Sequence, residues 1–531
     1  MLDYPTLPGD IDHLIADDHA VVERQFQHLE ARRGDRRALV DQIVFELSLH
    51  ADAEERVLYP ALKQEEMQDA EQESLDDHHV VKELLVTLSG SDPDTEEFEN
   101  ALIALMATIR HHVQEEETRV LPAFRTAVGA KRMAELGPEF LAAKRMAPTH
   151  AHPSAPSSRI GHKLADAGAK VVDMMRDKAS GRQKNLATDP SGTLDPQAQR
   201  LLDAFSALNP QPPEILDPAQ ARRQPSLVNA VNAVLMHEAR SQDPEPVAAV
   251  HDLPVPTGDG VTSDGRTAAH AGITARVYHP KDAGDGPLPI VLWIHGGGWV
   301  LYDVDTYDAS CRGVANKTGA IVISPEYRRA PENPFPAAYD DVLATYRWAR
   351  EEATRLGGDP ARIGIGGESV GGTMAVATCL TLLRNDEPLP AAQVLVYPLT
   401  TAEEFGESMT DAADARPLNL PLLSWMAMHA FAGQPDATKD YRVDLLNTPP
   451  DQLALLPPTL VITDERDVLR SQGEEFAARM RAAGGPVATW YGAGVMHEFF
   501  GAAAVLDKAD EAQRVAAEHF RAAFGRRPAL V

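Results

Sequence analysis

Between Ile273 and Tyr491 seven short apolar, β-branched runs alternate with segments of helical spacing. The runs are Ile273–Tyr278, Ile290–Ile294, Ala320–Ser324, Ile363–Gly366, Val394–Tyr397, Thr459–Thr463 and Val487–Tyr491. Strands that alternate with helices cannot pair through tight hairpins, so the expected product is a largely parallel sheet covered by helices on both faces. The first 146 residues contain no such runs. Ala38 to Tyr59 and Glu96 to Pro122 carry apolar residues at helical spacing, separated by polar breaks such as Ser89-Gly90-Ser91-Asp92-Pro93. At 531 residues the chain exceeds one ordinary core. The expectation is two domains: an all-α four-helix bundle over 1–146, a linker with a short amphipathic segment over 147–193, and an α/β domain with a helical cap over 194–531. The linker rests on the Pro- and Ser-rich stretch Ala147–Ser158, and its amphipathic segment is Ile160–Arg176. The cap is expected from Leu194–Ser241 and from the insertion Ala402–Asn447. A boundary of this composition predicts halves that fold separately.

The charge excludes some partners. Seventy-nine acidic against 50 basic side chains give a net charge of −29, which repels phosphate backbones and anionic lipid. No apolar stretch approaches membrane-spanning length and no basic, apolar leader opens the chain, so a cytoplasmic location without membrane insertion is expected. Cys311 and Cys379 lack metal-ligand spacing and read as buried free thiols. Neither charge nor composition excludes a homo-oligomer.

The helical half repeats itself. Asp17-Asp18-His19-Ala20-Val21-Val22 recurs as Asp76-Asp77-His78-His79-Val80-Val81. His50-x-x-x-Glu54-Glu55, followed by Leu58-Tyr59-Pro60-Ala61, recurs as His112-x-x-x-Glu116-Glu117, followed by Val120-Leu121-Pro122-Ala123. Residues four apart share a helical face, so each such helix offers an imidazole and a carboxylate to one point in a bundle core. His19 and His78 add an imidazole from each remaining helix. Six inward N and O donors suit two first-row transition ions, with iron the leading choice. His13, His28, His79 and His111 have no counterpart in the repeat and are left out of the set.

This half resembles the hemerythrin-like, histidine–histidine–glutamate cation-binding domains over about residues 9–125. The resemblance implies a non-heme di-iron site bridged by Glu54 and Glu116, with His19, His50, His78 and His112 as terminal ligands. Hemerythrin proper has a further histidine one helical turn before its counterpart of His78, where this chain has Ser74. That departure speaks against reversible oxygen carriage and leaves redox sensing, peroxide chemistry or iron binding.

Four motifs follow one another in the second half. Trp293-Ile294-His295-Gly296-Gly297-Gly298-Trp299 follows an apolar run, and its glycines let backbone N–H groups approach a developing oxyanion. Gly367-Glu368-Ser369-Val370-Gly371 lies between a strand and the helical segment Thr373–Leu383, the context of a nucleophile elbow that exposes a serine hydroxyl. Asp464-Glu465-Arg466-Asp467 and Met496-His497-Glu498-Phe499 each follow a later strand. The order serine, acid, histidine is that of a Ser-His-Asp acyl-transfer machine, with Asp464 and Asp467 both open as the acid.

These motifs resemble the hormone-sensitive-lipase-like family of α/β-hydrolases, which includes many bacterial carboxylesterases. Tyr327-Arg328-Arg329-Ala330-Pro331-Glu332 is similar to a further family segment, with Arg329 in place of Leu. The resemblance favours Asp467 as the acid, through Asp467-Val468-Leu469, and implies oxyanion donors at Gly297, Gly298 and Val370. It implies a serine carboxylesterase for short to medium acyl esters, needing no cofactor in this half. The chain departs from the family at Glu368 (Asp), Val370 (Ala) and Glu498 (Gly). Two other readings remain. In one the metal module is a sensor or iron-binding protein with the hydrolase as its regulated effector; a metal-dependent esterase rate discriminates it. In the other the second half is a non-catalytic ligand-binding receptor, which has no need to keep His497.

Overall fold

The computed structural model describes residues 2, 6–150, 189, 191–257, 260–261, 267–268, 272–284, 286–403, 405–434 and 436–525. The expected amphipathic segment Ile160–Arg176 lies outside them. Among the described residues no helix is long and apolar enough to cross a membrane.

The chain divides into two compact units. The first contains α1 (Ile11–Glu30), α2 (Arg36–Arg56), α3 (Leu58–Gln64), α4 (Gln68–Gly90), α5 (Glu96–Glu115) and α6 (Leu121–Met146). Asp35 starts α2 by accepting from the Ala38 amide at 2.8 Å, and Thr95 starts α5 by accepting from Phe98 at 3.3 Å. Four of these helices converge on one apolar cluster: Phe26 from α1, Leu47 from α2, Leu85 from α4 and Leu105 from α5 are all buried in it. A single turn of π-helix at Glu116–Val120 separates α5 from α6. Such turns re-aim side chains at functional sites.

Residues 205–224 and 410–425 belong to this first unit, although both lie within the stretch that the sequence assigns to the cap of the second half. Trp425 is fully buried and donates to the Leu216 carbonyl at 3.2 Å, and Asn419 donates to Glu214 at 2.7 Å. Ser424 donates to Asp17 of α1, and His28 of α1 lies 3.4 Å from Asp414. These segments bury apolar and polar groups against the bundle, and that is why compactness groups them with it.

The second unit is built on an eight-stranded sheet: β1 (Ala249–Val255), β4 (Ile273–His279), β6 (Ile321–Glu326), β5 (Leu288–Ile294), β7 (Gly358–Glu368), β8 (Gln393–Val396), β9 (Thr459–Arg466) and β10 (Val487–Met496), in that spatial order. A separate two-stranded ribbon holds β2 (Gly260–Val261) and β3 (Thr267–Ala268). From β6 to β10 every pairing is parallel, while β1 and β4 add an antiparallel edge. The helices Asp308–Thr318 and Asp507–Phe524 pack together, as do Ala337–Glu351 and Val370–Arg384. β5 to β9 are buried almost throughout, as a sheet covered on both faces requires. All seven expected strands are present. Of the strands of the main sheet the sequence reading missed β1, which pairs with β4 and keeps His251 and Asp252 exposed; the ribbon strands β2 and β3 were not expected either. Cys311 and Cys379 are buried and free.

Candidate active site and candidate metal centre

In parallel sheets functional groups gather beyond the carboxyl ends of the strands. Ser369 follows the last residue of β7, Asp467 the last of β9, and His497 the last of β10. Ser369 stands at φ 56°, ψ −125°, a left-handed conformation that a side-chain-bearing residue holds only under constraint. The constraint is a close approach of backbones: a Cβ on Gly371 meets the Ile294 carbonyl of β5, so the serine turn fits only with glycine there. The glycine loop after β5 lies directly over the serine, and a Cβ on Gly296 comes within 3.1 Å of the Ser369 Cβ. Gly297 and Gly298 both have positive φ, 97° and 58°. Val370 is the first residue of its helix, where the amide has no intrahelical acceptor.

His497 Nδ1 donates to Asp467 Oδ2 at 2.8 Å, and Asp467 Oδ1 accepts from the Leu469 amide at 2.8 Å. Both side chains are buried, and the Tyr397 ring packs against the imidazole at 4.4 Å between centroids. Burial alone lowers the histidine's pKa; the charge and hydrogen bond of Asp467, with Glu498 and Glu368 nearby, outweigh it and raise it. Asp464 is fully buried, and burial beside the Asp467 charge pushes its carboxyl well above the usual range, keeping it neutral. Of the two acids the sequence leaves open, geometry pairs Asp467 with the imidazole.

In the helical unit the six expected donors come together. His19, His50, Glu54 and Glu116 form one group and Glu54, His78 and His112 a second, the donor atoms of each lying within 4.8 Å of one another. Glu54 belongs to both. Every imidazole is held from behind by a carboxylate on Nδ1: His50 by Asp18 at 3.1 Å, His19 by Glu117 at 3.0 Å, His78 by Glu55 at 3.2 Å and His112 by Asp77 at 3.5 Å. This outer ring fixes the tautomer and turns each Nε2 lone pair inward. It also explains the doubled acids of the repeat, whose second members the sequence reading left without a role. The recurrence of Asp before His and of Glu after Glu was the signal.

The inward atoms fit a cation. The Nε2 atoms of His19 and His50 face each other at 3.2 Å, two acceptors that repel unless something positive lies between them. Glu54 Oε1, both Glu116 oxygens and His112 Nε2 are buried without a hydrogen-bond partner. Burial and the neighbouring Glu54 charge push Glu116 well up, whereas His50 and His78 hold Glu54 down against the same burial. A bound cation removes that conflict. Sequence reasoning missed Tyr59. Its hydroxyl lies 2.9 Å from His78 Nε2 and 3.3 Å from Glu54 Oε2. The histidines left out of the set stay out of it: His13 bonds Thr6, His28 faces Asp414, and His79 is exposed beside Glu83.

Two family profiles match the chain. Residues 291–501 match one described as alpha/beta hydrolase fold, and residues 10–124 match the hemerythrin HHE cation binding domain. The chain is 36% identical over 252 residues to the esterase LipI of Mycobacterium tuberculosis, covering 45% of this chain and 75% of that protein. It is 31% identical to an ethyl acetate hydrolase of Pseudomonas putida, covering 57% and 96%. An α/β hydrolase from the metagenome of Lake Arreo matches in structure with a TM-score of 0.54 at 32% identity, over 63% of this chain and all of that one. A carboxylesterase from a metagenomic library, EstE1, matches with a TM-score of 0.51 at 32% identity, over 59% and 99%.

Proposed function

The chain belongs to the α/β-hydrolase family and carries a hemerythrin HHE domain, and from that premise we propose that it is a serine carboxylesterase fused to a di-iron module. Ser369 is the nucleophile, His497 the base that takes its proton, and Asp467 the group that holds the imidazole tautomer. The amides of Gly297, Gly298 and Val370 receive the oxyanion, each worth about 2.7–4 kcal/mol. Water then cleaves the acyl-enzyme through the same histidine. The observation that carries this reading is the 2.8 Å bond between His497 and Asp467, beside a strained serine turn, at the ends of neighbouring parallel strands. Its test is Ser369→Ala assayed on short and medium acyl esters. Loss of turnover with an unchanged melting curve supports the assignment, and near-normal turnover sinks it.

In the helical unit His19, His50, His78, His112, Glu54 and Glu116 would hold two iron ions, which would supply a redox couple. The chain's own residues orient the imidazoles, through Asp18, Glu117, Glu55 and Asp77, and keep the centre buried.

A further inference from the structure

Glu368, the residue before the nucleophile, is one methylene longer than the Asp of the hydrolase pattern, and its carboxyl meets two aromatic donors at once. Trp293 Nε1 donates to its Oε1 at 3.1 Å, and the Tyr397 hydroxyl donates to its Oε2 at 2.5 Å. All three side chains are buried. Trp293 belongs to β5, Glu368 ends β7 and Tyr397 follows β8, so one carboxyl links three neighbouring strands. The indole crosses β7 at Gly366, where a Cβ would stand 2.9 Å from its ring. Tyr397 has φ 37°, a left-handed conformation that a side-chain-bearing residue keeps only when held. Its amide donates to the Ile462 carbonyl at 2.6 Å, and Glu368 fixes its other end.

Both rings go on to the turn that carries the base. The Tyr397 ring lies 4.4 Å from the His497 imidazole and 5.8 Å from the Phe499 ring, between centroids. The Trp293 ring stacks on Phe500 at 5.4 Å, with the planes 19° apart. Phe499 and Phe500 open the short helix Phe499–Ala502, two residues after His497.

We propose that Glu368 is a positioning residue of the esterase site, its carboxyl holding Trp293 and Tyr397 as a clasp that seats the His497 imidazole and the turn behind it. The inference rests on the esterase reading above. Asp467 bonds the imidazole at one atom, Nδ1, which sets the tautomer but leaves the ring free to tilt about that bond. A tyrosine face packed against the ring removes that freedom. The nucleophile is tied to the same parts: Ser369 follows Glu368 in the chain, and its amide donates at 2.8 Å to the carbonyl of Val396, the residue before Tyr397. Nucleophile and base therefore keep their register as the serine attacks, which is where misplacement costs rate.

The experiment compares Glu368→Leu, Glu368→Gln and Tyr397→Phe in the full chain. Leucine fills the space and offers neither donor an acceptor. Glutamine has the length of glutamate, accepts from the indole through its oxygen and donates to the tyrosine hydroxyl through its amide, so it keeps the clasp without the charge. A p-nitrophenyl acyl ester reports turnover, and a fluorophosphonate counts reactive serines. Glu368→Leu lowers kcat per reactive serine about tenfold or more, with KM held within about twofold. Glu368→Gln stays within about threefold of wild type, and Tyr397→Phe, which opens one arm, falls between the two. A role confined to holding the fold would lower the melting temperature or the number of reactive serines and leave kcat per reactive serine unchanged. A wild-type kcat in Glu368→Leu overturns the proposal, as does a Glu368→Gln variant as slow as Glu368→Leu, which would assign the effect to charge and not to the clasp. A wild-type kcat in Tyr397→Phe overturns it too, and decides alone if Glu368→Leu does not fold. Failure of the fluorophosphonate to label the wild-type protein counts against the esterase reading itself, and so is told apart from failure of the clasp.

Discussion

Replacing each of the two acids beside His497 by asparagine separates a carboxylate that works from one that only fills space. Asp467 accepts from His497 Nδ1 at 2.8 Å, so Asp467→Asn turns an acceptor into a donor and drives the imidazole to the wrong tautomer. Elsewhere that change costs about 10⁴-fold in kcat. Asp464 is buried and held neutral by burial beside Asp467, so Asp464→Asn exchanges one neutral group for another of the same shape. At most a hydrogen bond of about 0.5–1.5 kcal/mol is lost, or roughly two- to thirteenfold in rate. The sign for stability follows from the same shift. A carboxyl raised in the folded state binds a proton that the unfolded chain has released, so its contribution is present at low pH and is lost as pH rises. Asp464→Asn should therefore gain stability over wild type as pH increases from the unfolded carboxyl range towards neutrality. Steady-state kcat on a p-nitrophenyl ester, normalised to fluorophosphonate-reactive serine, gives the kinetic ranking; urea melts across pH give the second. A larger kcat loss in Asp464→Asn than in Asp467→Asn refutes the assignment of the acid.

The remaining predictions concern the base and the metals. Asp467 raises His497 against burial, and the base must be neutral to act, so the acid limb of kcat/KM has its midpoint above 6.5; a midpoint below 6.5 in a pH–rate profile refutes this. His50→Ala and His112→Ala each remove one imidazole from a paired face and should lower bound iron from about two ions per chain; elemental analysis showing full occupancy in both variants counts against the ligand set.

The hydrolase motifs were legible because each depends on backbone chemistry that only certain residues permit. The turn at Ser369 cannot form without glycine at 371, and five of the seven expected strands, β5 to β9, are buried almost throughout, so their apolar runs mark them. β1 was not legible, because an edge strand with His251 and Asp252 in solvent and Pro254 near its end lacks the apolar run that identifies a buried strand. The six metal donors were legible through periodicity, since positions four apart share a face whether or not the fold is known. Their outer carboxylates were in the motif but unreadable as such. Asp18 holds a histidine 32 residues away and Glu117 one 98 residues away, and no local rule links such pairs.

The domain boundary shows the same limit from the other side. Composition places it at the Pro- and Ser-rich stretch before residue 193, most of which lies outside the described residues. It carries no information about where apolar faces are buried. Trp425 and Leu216 come from segments far beyond that stretch, yet they pack within the compact unit of the metal-site helices. Burial of that kind is a property of three-dimensional complementarity, so a truncation drawn from composition at Leu194 would strip these segments of the surface they are buried against.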